Sequence, residues 1–409
     1  MKREKLIIIF TVFVDVIGFG IVIPILPYYV KSFGASAFQT TLMFAAFSFF
    51  AFLSSPFLGA ISDRVGRRPV LIASIISTAI GWFVFASARS IVFLFLGRII
   101  DGAAAGNFTT AQSYLIDISR DEKERTSNIG IIGATFGVGF MVGPLMGGLL
   151  SNVSHVFPFW VAGGLATVNS ISAYFFLPET HHKRDPQHPV KFNPIAPLIR
   201  AATDTKLRPY YITFLLFALT FVTYQSVFAL FASAVFGFTA STTGILFACG
   251  GVIVTLNQTV LLKRVWKKYF SNGFLEIGGI VVFGVGMSLL VFKSLIPFLV
   301  GLACNSLAQS ILRVVITTEV AGHADPRSRG ETIGILGAVM SLAMVVAPVI
   351  SGALYEIDLV YPYILGVGYM LLAFLIAYPN RDRTKAPILI VQTPSPSEIA
   401  NDASGVEYL

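Results

Sequence analysis

Twelve apolar runs, each close to the length of a membrane-crossing helix, recur from one end of this chain to the other. They fall at about 6–30, 38–61, 70–88, 91–116, 129–151, 157–177, 209–235, 240–262, 273–292, 295–319, 331–354 and 361–379. A helix needs about 20 consecutive apolar residues to cross the hydrocarbon of a bilayer. With no water there to satisfy backbone groups, helices and closed barrels are the only spanning solutions. The pattern predicts an all-α membrane protein of twelve transmembrane helices, numbered spans 1 to 12. Composition agrees: 55% of the residues are hydrophobic and only 12% charged, against about 25% charged in soluble domains. That excludes a soluble, a disordered or a disulfide-built chain. The two cysteines, Cys249 and Cys304, lie in separate apolar runs and read as free thiols. Span 1 is too long for a signal-peptide core and lacks a small-residue cleavage site.

The formal net charge of +8 is a topology signal, so no nucleic-acid partner is expected. Of the 29 Lys and Arg, only Lys31, Arg89 and Lys293 fall between spans on one side, and only Arg98 and Arg313 inside spans. The rest cluster at the N-terminus, in every second loop and in the tail. Basic loops stay cytoplasmic, which places both termini in the cytoplasm and suits a bacterial inner membrane. The stretch 178–208 interrupts the rhythm with five prolines and six basic residues. The expected division is therefore a six-helix bundle over 1–177, a cytoplasmic linker over 178–208, a second bundle over 209–379 and a disordered tail over 380–409. His181, His182 and His188 of the linker read as solvated, since no carboxylate or thiol completes a metal site. Neither a cofactor nor a metal is expected.

The two halves resemble one another. Shifted by 204 positions, DEKERTSNIGIIGA from Asp121 lies over DPRSRGETIGILGA from Asp325, with Pro144 over Pro348 and Gly148 over Gly352. Parallel six-helix repeats imply two pseudo-symmetric bundles facing each other across a cavity, the architecture of a secondary transporter. No nucleophile–base set, nucleotide loop or metal motif appears, so an enzyme is not expected.

Three charges lie inside the first half. Asp15 sits about nine residues into span 1, roughly 14 Å deep at 1.5 Å per residue. Arg98 and Asp101, three apart and so on one helix face, enter span 4 from the opposite side to a similar depth. Intramembrane charge is costly and marks function by default. With all three ionised the cluster carries −1, and protonating one carboxylate neutralises it, which suits a proton-coupling site. The competing reading is an Asp–Arg pair that merely locks helices. On the cytoplasmic side, GAISDRVGRRPVLI (Gly59 to Ile72) joins spans 2 and 3. Gly66 suits the tight turn and Pro69 the first position of a helix.

The signature loop resembles that of the major facilitator superfamily at nearly every defining position, Gly59, Asp63, Arg64, Gly66, Arg67 and Arg68. Span 1, DVIGFGIVIPILP, and span 4, GRIIDGAAAG, resemble those of tetracycline efflux proteins and related drug–proton antiporters. Span 5, GATFGVGFMVGPLMGG with Gly133, Gly137, Gly143, Pro144, Gly147 and Gly148, resembles the glycine-proline motif of the antiporter branch. The resemblance covers the whole chain and is stronger in the first half. It implies the two-bundle fold, proton-coupled drug export with the antibiotic resistance that follows, and a gating loop in which Asp63 and its arginines latch the two bundles in one state. Asp117, at the inner end of span 4, is the expected partner of one of them. The span 5 glycines admit close helix packing as well as a seal or hinge between bundles. The chain departs from tetracycline efflux proteins in lacking an acid within span 3.

In the second half, Gln225, Asn257, Gln258, Asn305, Gln309 and Arg313 are candidates for lining the substrate cavity, and Phe44 and Phe228 for its apolar wall. The expected partners are an amphipathic small molecule, protons and the lipid bilayer, and a monomer suffices. The rival reading is a carrier of a specific metabolite, such as a siderophore, sugar or amino acid, running inward or as a uniporter.

Overall fold

The structure is a computed structural model that describes residues 3–180, 193–325 and 328–380. Its helices are α1 (Arg3–Lys31), α2 (Ala37–Val65), α3 (Arg67–Ala86), α4 (Ile91–Ala103), α5 (Asn107–Asp117), α6 (Glu122–Leu150), α7 (Phe157–Phe176), α8 (Ala196–Thr203), α9 (Arg208–Phe236), α10 (Ala240–Leu256), α11 (Lys267–Tyr269), α12 (Asn272–Leu290), α13 (Leu295–His323), α14 (Arg329–Ile357) and α15 (Tyr361–Asn380). Among the described residues, twelve helical stretches are long and apolar enough to cross a membrane, and they coincide with the twelve runs. Two are irregular where the sequence predicts continuity. Span 4 is broken between α4 and α5 at Ala104–Gly106, and span 8 passes from α10 into a π-helix over Asn257–Trp266 before α11. The linker also carries the short helix α8. The linker histidines and the tail from 381 lie outside the described residues.

The helices gather in two groups of six spans. In the first, α1 lies against α6 and α7, α3 against α4 and α7, and α2 against α4. In the second, α12 contacts α13 and α15, and α9 contacts α14 and α15. The groups meet along α2 with α14 and α6 with α10, with α1 touching α9 and α10. Cys249 and Cys304 are free, in α10 and α13.

The cross-group contacts concentrate at the end away from the termini. A Cβ on Gly148 would lie 3.0 Å from the Cα of Gly244, so these glycines let α6 and α10 touch backbone to backbone. The Tyr28 hydroxyl at the end of α1 donates to the Phe238 carbonyl at 2.8 Å. The Phe38 N–H at the start of α2 donates to Glu356 Oε1 at the end of α14, 3.0 Å away. Toward the other end the facing helices part. Gly59 on α2, Gly130, Gly133 and Gly137 on α6, and Gly330, Gly334 and Gly337 on α14 have no neighbouring atom within 4 Å of a built Cβ. The molecule is thus sealed at one end and open at the end where α1 begins and α15 finishes.

Candidate functional site

Between the groups lies a cavity of about 210 Å³ lined by Asp15, Val16, Phe19, Phe47, Thr78, Trp82, Arg98, Asp101, Ala105, Asn107, Phe108 and Met344. All but Met344 come from the first group. The three intramembrane charges meet here. The helix break shapes the cavity: Ala105 and Asn107 face it from the gap between α4 and α5. Gly102 and Gly106 bracket that gap, and a Cβ on either would collide with Phe47 or Leu58 of α2. A side chain at these positions would push α2 away from the α4–α5 stretch. Gly81 and Gly97 act alike between α3 and α4; a Cβ on Gly81 would stand 2.9 Å from Asp101 Cβ. The run GRIIDGAAAGN thus holds small residues where α2 and α3 press on the α4–α5 stretch.

Arg98 and Asp101 are paired with each other. Arg98 Nη2 stands 3.2 Å from Asp101 Oδ2, and the two residues are only 2% and 6% exposed. The guanidinium carbon sits 4.3 Å from the ring centre of Trp82, 5.0 Å from that of Phe85 and 5.5 Å from that of Phe47. A guanidinium over aromatic faces gains cation–π attraction, strongest over Trp. Asp15 is placed differently. It is partly accessible through the cavity, and its hydrogen bond comes from the neutral Asn107, whose Nδ2 lies 3.1 Å from Asp15 Oδ1. The same Nδ2 reaches Thr78 Oγ1 at 3.2 Å. The sequence does not single out Thr78 or Asn107, because one polar residue in an apolar run has many innocent explanations. The signal for Asn107 is the pair of glycines, Gly102 and Gly106, that precede it, poor helix formers ahead of a buried amide.

The signature loop is an ion-pair knot. Gly66 adopts φ +110, which a side chain would strain. Arg67 Nη2 binds Asp63 Oδ1 at 2.6 Å, its Nε binds Asp117 Oδ2 at 3.2 Å, and its Nη1 donates to Ser62 Oγ at 2.6 Å. Arg68 Nη2 donates to the Tyr174 carbonyl at 2.6 Å. Arg64 lies part-buried on the same turn, and Gly59 falls within α2. Pro69 occupies the third position of α3, not the first. Glu179, a residue that no sequence motif marks, accepts the Arg67 and Arg68 N–H groups at 2.9 and 3.2 Å. A carboxylate there satisfies orphan donors at a helix N-terminus. These contacts of Arg67, Asp63, Asp117, Arg68 and Glu179 stay within the first six spans and the start of the linker.

The span 5 glycines divide. A Cβ on Gly143 would stand 2.9 Å from Gly20 Cα, and one on Gly147 3.0 Å from the Ile21 carbonyl, so both fit α6 to α1. Gly148 meets Gly244 across the groups, and the Pro144 carbonyl closes on Gly244 as well. Gly133 and Gly137 pack on nothing, because they lie where the groups have parted.

The second-half candidates do not line this cavity. Asn257 is fully buried, donating to Ser310 Oγ and accepting from Trp266 Nε1, each at 2.6 Å. Asn305 is fully buried, with Nδ2 3.8 Å from Met287 Sδ. Gln225 is buried in α9, Gln309 half-buried, and Gln258 and Arg313 exposed. Phe228 is no cavity wall: it is fully buried in the core of the second group, stacked on Phe298 with ring centres 5.1 Å apart. Phe44 packs partly buried against the cores of both groups. The apolar wall is instead Phe19, Phe47, Trp82, Phe108 and Met344.

Comparison with known proteins fits this architecture. The chain is 29% identical over 362 residues to the class C tetracycline resistance protein of Escherichia coli, covering 87% of this chain and 90% of that one. It is 26% identical over 386 residues to the quinolone resistance protein NorA of Staphylococcus aureus, covering 92% and 96%. Among solved structures, the human organic anion transporter MFSD10 superposes with a TM-score of 0.69 at 21% identity, over 92% of this chain and 99% of that one. The sequence profile of the Major Facilitator Superfamily matches residues 8–275 and 275–400, and the chain belongs to that superfamily of multi-pass membrane transporters.

Proposed function

We propose that this transporter exports an amphipathic small molecule in exchange for protons, and that Asp15 carries the proton. The observation that carries this reading is the unequal partnership of the two carboxylates. Asp101 is matched by Arg98, whereas Asp15 faces the cavity with a neutral amide beside it. The cavity therefore holds one uncompensated negative charge. In a membrane interior such a charge is neutralised either by a proton or by a cationic group on the substrate. Occupancy by one excludes the other, and that exclusion is coupling. Protons arriving from outside displace the substrate outward; loss of the proton inside lets the next molecule bind. The identities with tetracycline and quinolone resistance proteins support a drug-like substrate. The basic bias of the terminal side supports a cytoplasmic open end, and in this reading the state described is the one that loads substrate. In the reverse state, the Asp63–Arg67–Asp117 knot would serve the cytoplasmic gate, and Gly143, Pro144 and Gly148 of α6 would release the outer seal.

The test is transport in proteoliposomes with an imposed pH gradient, across a panel of lipophilic cations, tetracyclines and metabolites. Asp15→Asn is expected to lose gradient-driven accumulation by at least about tenfold, equivalent to ~1.4 kcal/mol of coupling, and to make whatever exchange of labelled for unlabelled substrate remains independent of pH. Accumulation that ignores both the gradient and the substitution would leave a facilitator with Asp15 as a structural charge.

A further inference from the structure

The two carboxylates are joined by more than proximity. Asn107 Nδ2 donates to Asp15 Oδ1 at 3.1 Å and reaches Thr78 Oγ1 at 3.2 Å. Thr78 lies one helical turn before Gly81, against which the Asp101 side chain packs, and in the same cavity wall its hydroxyl is directed at the Asp101 carboxylate. A chain of side chains from α1, α5, α3 and α4 thus runs Asp15–Asn107–Thr78–Asp101. Asn107 is only 5% exposed and Thr78 6%. The other end of the Asn107 amide, Oδ1, is buried with no hydrogen-bond partner. Of the residues that line the cavity, Asp15, Arg98 and Asp101 are the charged ones, so no other ionisable wall residue interrupts the chain.

We propose that Asn107 and Thr78 relay the protonation of Asp15 to Asp101 by reversal of the Asn107 amide, a role that rests on Asp15 as the proton carrier. With Asp15 ionised, Nδ2 donates both to it and to Thr78, and the Thr78 hydroxyl is free to donate to Asp101. When a proton from cavity water settles on Asp15, the carboxyl gains a donor and becomes a weaker acceptor, so the amide N–H that faced it loses most of its advantage over the amide oxygen. Turning the amide over brings Oδ1 into the same place. It accepts the Asp15 O–H and the Thr78 O–H together, since a carbonyl oxygen has two lone pairs. Thr78 has one hydroxyl proton, so the bond to Asp101 is released and Asp101 is left to Arg98. The amide has one satisfied end and one unsatisfied end in either orientation. Neither is strongly preferred, and the proton decides between them. A bistable element biased by a local charge change is what a coupled transporter requires. The break at Ala104–Gly106 is what places Asn107 at the head of α5 beside Asp15.

Infrared difference spectra of the purified protein between alkaline and acid pH test this without a substrate. In the wild type, a carboxyl band that disappears in Asp15→Asn is expected to rise on acidification, accompanied by a shift in a carboxylate band that disappears in Asp101→Asn. Thr78→Val removes only the hydroxyl from a near-isosteric side chain. It is expected to keep the first band and lose the second, and Thr78→Ser to restore it. Asn107→Leu is expected to lose the second feature as well. Retention of the Asp101 shift in Thr78→Val overturns the relay, even if Asn107→Leu fails to fold. If no band tied to Asp15 titrates, the assignment of the proton to Asp15 fails, and the relay with it. Transport adds a second readout. For any substrate that accumulates in the wild type, Thr78→Val should lower gradient-driven accumulation about tenfold more than it lowers substrate exchange, whereas an equal effect on both would mark a residue of the cavity wall alone and overturn the relay.

Discussion

A buried arginine on aromatic rings and a carboxylate with a neutral neighbour look alike in sequence, as single charges in apolar runs. Their surroundings set them apart. Arg98 and Asp101 desolvate together, and removing one partner of such a pair leaves the other uncompensated, which typically costs about 3–5 kcal/mol. Arg98→Leu is therefore expected to lower the thermal midpoint of the purified protein sharply. The double substitution Arg98→Leu with Asp101→Leu should recover much of the loss, because no orphan charge remains. Equal destabilisation by the single and the double changes would show that the two side chains are not energetically paired. Asp15→Asn removes a charge that has no ionic partner in the cavity wall other than through space. It should be neutral or stabilising in the same assay, and so separate its transport defect from folding. That Asp15, Arg98 and Asp101 would converge was legible from depth and helix phase alone. Which carboxylate holds the arginine was not, because both lie at similar depth and the choice is made by side-chain reach and by Asn107.

At the scale of elements, the glycines of α6 and its partner α10 make two opposite predictions. Gly244→Val drives a branched side chain into the Pro144 carbonyl and the Gly148 backbone. Overpacking of this kind costs about 1–3 kcal/mol, charged to the sealed state, so the variant should shift toward the state open on the other side. Gly133→Ala meets open space and, in a helix interior, should stabilise by roughly 0.5–1 kcal/mol. Thermal midpoints with cysteine-accessibility assays check both. A destabilised Gly133→Ala would mean that this glycine packs in a state other than the one described. The glycine spacing announced close approach somewhere along α6. Only the divergence of the two groups decided that Gly143, Gly147 and Gly148 meet partners while Gly133 and Gly137 do not. The break in span 4 was equally hidden: Ala103, Ala104 and Ala105 favour a helix and a single glycine such as Gly106 only weakens one, and the close approach of Phe47 and Leu58 of α2 is part of the reason for the gap.

For the whole molecule, the seal and the opening predict a labelling pattern. After Cys249 and Cys304 are replaced, a cysteine at Gly137 or Gly337 should react with an impermeant maleimide from the side that carries the termini. One at Thr41, fully buried at the seal, should react from neither side. Inside-out and right-side-out vesicles report at once whether that side is the cytoplasm. Labelling of Thr41→Cys from the opposite face at rest would show that the seal is not the predominant state. The sequence by itself determined the class of this protein, because the length of an apolar run and the sidedness of its basic loops are local answers to one solvent, the bilayer. The duplication likewise required only comparison of the chain with itself. Tertiary structure decided the rest: which acid is paired, which glycines touch, that Met344 alone of the second half lines the cavity, and that Asn257 and Asn305 serve their own bundle. Those outcomes depend on distances between helices far apart in the chain, and a period of 3.6 residues fixes a side chain's direction without fixing what lies opposite it.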